Sequence, residues 1–83
     1  MGAMTKSLQS REHQILVKFL VETRHEAGLT QRQLAKRLRV QPSWVAKVEM
    51  GERRIDLIEF VWVCEALEVD PAESACAVIA QMI

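Results

Sequence analysis

Apolar side chains along this chain recur every three or four positions, and almost nowhere every second one, so the pattern predicts helices from end to end. Ile15, Leu16, Phe19, Leu20 and Thr23 make the buried stripe of a first helix, from about Ser10 to Ala27. Gly28 follows where a left-handed residue closes such a helix. A second helix begins at Thr30, with Gln33 three residues later completing a capping box, and turns Leu34, Ala35 and Leu38 inward. The third opens at Gln41-Pro42, because proline is tolerated at a first helical position whose N–H has no partner anyway. Val45 and Val48 share one of its faces and Gly51 ends it. The fourth starts at Asp56, with Glu59 at the capping-box position and Leu57, Phe60, Val61, Cys64 and Leu67 as its inner stripe. Asp70-Pro71-Ala72-Glu73 starts the fifth: an aspartate cap, then proline, then a first-turn acid. The expected fold is all-α, a compact five-helix domain over residues 10–83, with no linker or repeat.

Composition narrows this without redirecting it. Eighty-three residues allow one domain with a modest core, for which pairing with a second copy would help. At 49% apolar residues the chain is too hydrophobic for a disordered tail. No run reaches the ~20 apolar residues of a membrane helix, and Met1 to Ser10 lacks the apolar segment of a secretion signal. The expected location is cytoplasmic. Met1-Gly2-Ala3 ahead of Met4 reads as an expression scar, and residues 1–9 as that scar plus a flexible N-terminus. Cys64 and Cys76 lie in apolar helical patterns and are expected as buried free thiols in preference to a disulfide or metal site. His13 and His25 are expected at the surface.

Charge changes the picture more. The net charge is zero, yet all 11 Lys and Arg lie at or before Arg54, against five acids in the same stretch. That part carries +6 and the remainder −6. A basic half points to a face that meets a polyanion, unless solvated helix faces have merely segregated. The segment that explains it is Thr30 to Arg54, two short helices joined by a tight turn. Ala35 is small where the two backbones must approach, and Val45 and Val48 plug the gap opposite Leu34 and Leu38. This is a helix-turn-helix, whose second helix projects into a DNA major groove. Gln41, Ser43, Trp44 and Lys47 fall on its outer face and are the candidates for base contact. Lys47 also fits a solvated or phosphate-bound lysine, and Trp44 also fits core or dimer packing. Arg32, Lys36, Arg39, Arg53 and Arg54 are candidates for phosphate contact.

These residues resemble the phage repressor and Cro type of helix-turn-helix, the XRE-like family. The likeness rests on Leu29-Thr30-Gln31, Leu34-Ala35, Leu38, Val40, Val45, Val48-Glu49 and Gly51-Glu52-Arg53, with Leu57 and Leu67-Glu68-Val69-Asp70-Pro71 downstream. It spans roughly Arg24 to Glu73. The resemblance implies that Gln31 and its helix N-terminus hold a phosphate, that the loop bearing Arg53 and Arg54 runs beside the DNA backbone, and that Arg24 and Glu49 form a structural ion pair. Two positions depart from the family pattern: Arg39 stands where a turn glycine is usual, and Pro42 where a base-reading glutamine is frequent.

Residues 74–83 carry no charged side chain, so the fifth helix is apolar on most faces and must be covered. With Ile58 and Trp62 on the outer side of the fourth helix, the expected cover is a second copy, through Ile58, Trp62, Val78, Ile79 and Met82. The other possibility is cover by the first helix within one subunit. A symmetric dimer would set two recognition helices ~34 Å apart and read a palindrome. The expected function is a homodimeric transcriptional regulator, a repressor acting on double-stranded DNA. The alternative is a protein-interaction module or antitoxin-like partner that uses the helix-turn-helix as scaffold. No catalytic constellation, metal site or cofactor motif is legible, so no enzyme and no cofactor are expected.

Overall fold

The computed structural model describes residues 10–83; the expectation for residues 1–9 lies outside them. Five helices follow in order: α1 (Arg11–Glu26), α2 (Gln31–Leu38), α3 (Pro42–Glu49), α4 (Leu57–Ala66) and α5 (Pro71–Met82). Each begins as its sequence dictates. The Ser10 side chain accepts from the His13 N–H, Asp70 accepts from Glu73, and Thr30/Gln33 and Asp56/Glu59 form complete capping boxes. The Gln41 side chain makes no capping bond, and Pro42 serves in the first turn of α3 instead.

The first four helices end alike. A residue with positive φ (Gly28, Arg39, Gly51, Glu68) lets the following N–H reach back five residues: Leu29 to the Arg24 carbonyl, Val40 to Ala35, Glu52 to Lys47, Val69 to Cys64. Leu29, Val40 and Val69 then drop onto the core as the apolar partners of these closures. Glycine is free to adopt this backbone; arginine and glutamate are not, at a cost of about 1 kcal/mol or more each. The Arg39 departure therefore leaves the turn geometry intact and strains it, at φ 59°. Arg39→Gly is expected to raise stability by about 1 kcal/mol, read as a shift of the urea midpoint at constant m-value; an unchanged or lower midpoint refutes this account of the turn.

The core gathers Leu20, Leu34, Ala35, Val45, Val48, Phe60, Val63, Cys64 and Leu67, with Phe19 set against Phe60 at 6.1 Å between ring centroids. In α4 the structure corrects the expected stripe. Val63 is buried, Val61 is only half-buried, and Leu57 is 74% exposed. Nearly every face of Leu57–Ala66 is apolar, so periodicity cannot select one, and packing against α2 and α5 does. His13 is buried, contrary to expectation, in a region it shares with Glu49, Met50 and Gly51 on one side and Ile55 and Met82 on the other; His25 is exposed as expected. Cys64 is a buried free thiol whose pKa is pushed up by burial, with an opposing hydrogen bond from Ser74, while Cys76 is exposed and not buried as expected.

The covering of α5 is shared. Val78 is 3% exposed within the single chain, where it packs at the base of the apolar groove that Ile79 and Met82 also line. The Arg11 guanidinium donates to the Gln81 and Met82 carbonyls at 2.8 and 3.1 Å, tying α1 to the last turn of α5. Ile79 and Ile83 remain exposed.

Candidate nucleic-acid interface

The helix-turn-helix is held by three kinds of contact. At its centre Ala35, 1% exposed, lets α2 and α3 approach, and Val45, Val48 and Leu34 fill the wedge between them. At the turn, the left-handed Arg39 reverses the chain. At the far end lies a buried ion pair. Arg24 Nε and Nη2 donate to the two Glu49 carboxylate oxygens at 2.7 and 2.9 Å, with side chains only 10% and 7% exposed. Arg24 Nη1 also donates to the Leu29 carbonyl at 2.8 Å. Glu49 sits in the last turn of α3, so this network fixes the tilt of α3 against α1.

Gln31 joins that network. Its Nε2 donates to Glu49 Oε1 at 2.8 Å, so one of its two amide hydrogens is used within the protein. The second hydrogen of that amide, and the N-terminal backbone of α2 beside it, are not used by this contact.

The outer face of α3 is open. Gln41, Ser43, Trp44 and Lys47 all line one shallow groove, together with Arg39 and Arg53. Gln41, Ser43 and Lys47 are exposed; Trp44 is half-buried, with part of its ring against the core and part on the groove wall. Trp44 therefore packs on the core with part of its ring and leaves the rest on the groove. Lys47 and Arg39 make no ion pair among the described residues.

The remaining basic residues are placed differently. Arg53 is no uncommitted cation. Its guanidinium lies 4.9 Å from the Trp44 ring centroid, donates to both Glu59 oxygens at 3.0 and 3.3 Å, and donates to the Arg54 carbonyl at 2.7 Å. Arg32 and Lys36 are exposed on α2, outside the groove lining. Arg54 borders a separate hollow with Ser10, Glu12 and Met82. Glu59 was not legible as a site residue. Its only sequence signal is the capping box, and its contact with Arg53 crosses a loop that no helical spacing describes. The Glu59 carboxyl is held below its ordinary value by the Arg53 hydrogen bonds, then by the Asp56 N–H. Its contribution to stability is therefore present above the usual carboxylate range and lost as pH falls through the lowered native value.

Folding also tempers the charge division. Arg53 pairs with Glu59 and Arg37 with Glu68 at 3.3 Å, so acids of the second half neutralise two cations of the first. The expected second-copy surface divides in two. Ile58 and Trp62 are exposed on α4, where Trp62 borders a hollow with Trp44 and Val40. Ile79 and the half-buried Met82 line an apolar groove with Leu57 and Phe60. Among the described residues no three His, Cys, Asp or Glu side chains gather to hold a metal ion, and no helix is long and apolar enough to cross a membrane.

A family model described as a helix-turn-helix domain matches residues 15–75. An XRE-family like protein from Pseudomonas syringae pv. tomato str. DC3000 is 39% identical, covering 87% of this chain and 88% of its own, with a TM-score of 0.81. The clp gene regulator ClgR from C. glutamicum is 25% identical over 90% of this chain and 97% of its own, with a TM-score of 0.75. The restriction-modification controller protein C.Esp1396I, seen as a tetramer in complex with its natural 35 base-pair operator, shares the fold at 19% identity and a TM-score of 0.78, over 87% and 95% of the two chains. No curated protein matches the sequence.

Proposed function

The chain belongs to the XRE-like helix-turn-helix family of DNA-binding folds, and from that premise we propose that it is a sequence-specific, non-enzymatic transcriptional repressor of the cytoplasm that binds a palindromic operator as a homodimer. The observation that carries this reading is the groove on α3. Four side chains suited to base edges line it together, flanked by two arginines. Lys47 suits guanine acceptors, Gln41 an adenine edge, and the Trp44 ring a thymine methyl. Repression needs nothing more than occupancy of the site. The operator-bound controller of the same fold and the gene regulator ClgR support a regulatory role.

Pairing draws on the apolar groove of Leu57, Phe60, Ile79 and Met82, and on Ile58 and Trp62. The body measures 39 × 25 × 20 Å, so two copies side by side bring equivalent points to separations that bracket the ~34 Å of one DNA turn. Ile79→Glu, at an exposed position, is expected to leave the fold intact, convert dimer to monomer in sedimentation, and weaken palindrome binding about 10²-fold through lost avidity. A variant that stays dimeric removes Ile79 from the interface.

The test of the whole is selection from a pool of random duplexes at low salt, followed by sequencing. The expected result is a two-fold symmetric motif, with log affinity falling linearly in log salt. Failure to enrich any sequence overturns the proposal and favours the second reading, a protein-interaction or antitoxin-like module, which the exposed Ile58 and Trp62 would serve.

A further inference from the structure

An acid sits at the edge of a surface proposed to meet a polyanion, and its contacts say what it does there. Glu59 is locked at its base: its Oε1 accepts from the Asp56 N–H at 2.9 Å in the first turn of α4. From that anchor its two oxygens hold Arg53 in a two-point contact, with the Glu59 side chain 20% exposed and that of Arg53 39% exposed. Arg53 in turn lies over the Trp44 ring, whose half-buried position backs it against the core. The contacts run from the start of α4 through Glu59 and Arg53 to Trp44, and so to the wall of the recognition groove.

We infer that Glu59 is a specificity-determining positioning residue: through Arg53 it holds the Trp44 ring in one orientation, and that orientation sets which base edges the groove accepts. This rests on the DNA-binding reading above. An indole is the largest side chain in the groove, and a rotation about its first side-chain torsion would move the wall by several ångströms. A planar guanidinium stacked on the ring restricts that rotation, and a bidentate carboxylate fixes the guanidinium. Glu59 also cancels the Arg53 charge, so the pair adds selectivity and not attraction. These two effects have opposite signs when Glu59 is neutralised, which separates positioning from a merely structural role.

The experiment compares wild type, Glu59→Gln and Arg53→Lys on the operator found by selection and on an unrelated duplex, over a salt series. Glutamine retains the acceptor that the capping box needs. In Glu59→Gln, binding to unrelated DNA is expected to strengthen, the salt slope to steepen by about one unit, and the ratio of specific to unrelated affinity to fall about tenfold. Arg53→Lys keeps the charge and loses the planar stack, so the ratio falls similarly with little change in slope. If Glu59→Gln does not fold, Arg53→Lys carries the test on the ratio. A wild type that selects an operator, beside variants that keep its ratio, overturns the inference alone. A wild type that selects nothing overturns both the inference and the DNA-binding reading.

Discussion

Arg24→Met is expected to destabilise the domain by about 3–5 kcal/mol, enough to unfold most of a small domain whose total stability lies at the lower end of about 5–15 kcal/mol. The magnitude comes from what is left behind. Glu49, 7% exposed at its side chain, would keep only the Gln31 amide for its buried charge, and the Leu29 carbonyl would lose its donor. The loss is not the worth of the ion pair itself. Arg24→Met with Glu49→Met removes both charges and is expected to recover most of the stability, because well-packed apolar residues replace a buried pair at little net cost. Urea unfolding followed by circular dichroism measures both. A single-variant loss below about 1 kcal/mol would mean that water reaches Glu49 and that the pair is a surface one. The double variant carries a second consequence: if the pair fixes the tilt of α3, it stays folded and binds operator less selectively.

Lys47→Glu is expected to abolish operator selection, with affinity down by about 10²-fold or more. Loss of a base contact contributes about 1–3 kcal/mol of discrimination, and a carboxylate now faces the phosphates. Lys47 is exposed and makes no ion pair among the described residues, so the substitution removes no packing. A negative charge in the last turn of α3 costs about 0.3–1 kcal/mol against the helix dipole, small enough to leave the fold in place. Lys47→Ala separates the two roles of this lysine. A base contact loses discrimination at one position of the motif, whereas a phosphate contact weakens all sequences equally and lowers the salt slope by about one unit. Titration by fluorescence anisotropy reads both, and unchanged selection by Lys47→Glu excludes the residue from the site.

These two residues also show where sequence reasoning reached and where it stopped. Lys47 follows from helical period alone: with Val45 and Val48 inward, its position points out. The partnership of Arg24 with Glu49 was implied by resemblance, but the capture of Gln31 was not, because it depends on how closely the N-terminus of α2 approaches the end of α3. The same distinction separates Arg39 from Arg53. Arg39 sits in a turn whose local closure sets its place, and it reaches the groove. Arg53 is placed by a contact with Glu59 that capping-box spacing alone does not reveal.

The caps, the five helix starts, the small residue at the α2–α3 crossing and the outward face of α3 were determined by the order of amino acids, since each depends on residues within one or two turns of one another. The three-dimensional packing alone decided which stripe of the almost uniformly apolar α4 went inward, that Val78 and His13 are buried, and that an acid from α4 closes over Arg53 and Trp44. Those outcomes are set by competition among surfaces far apart in the chain. Near-neighbour spacing carries no information about which distant surface a residue meets, and burial and charge pairing are settled by that meeting.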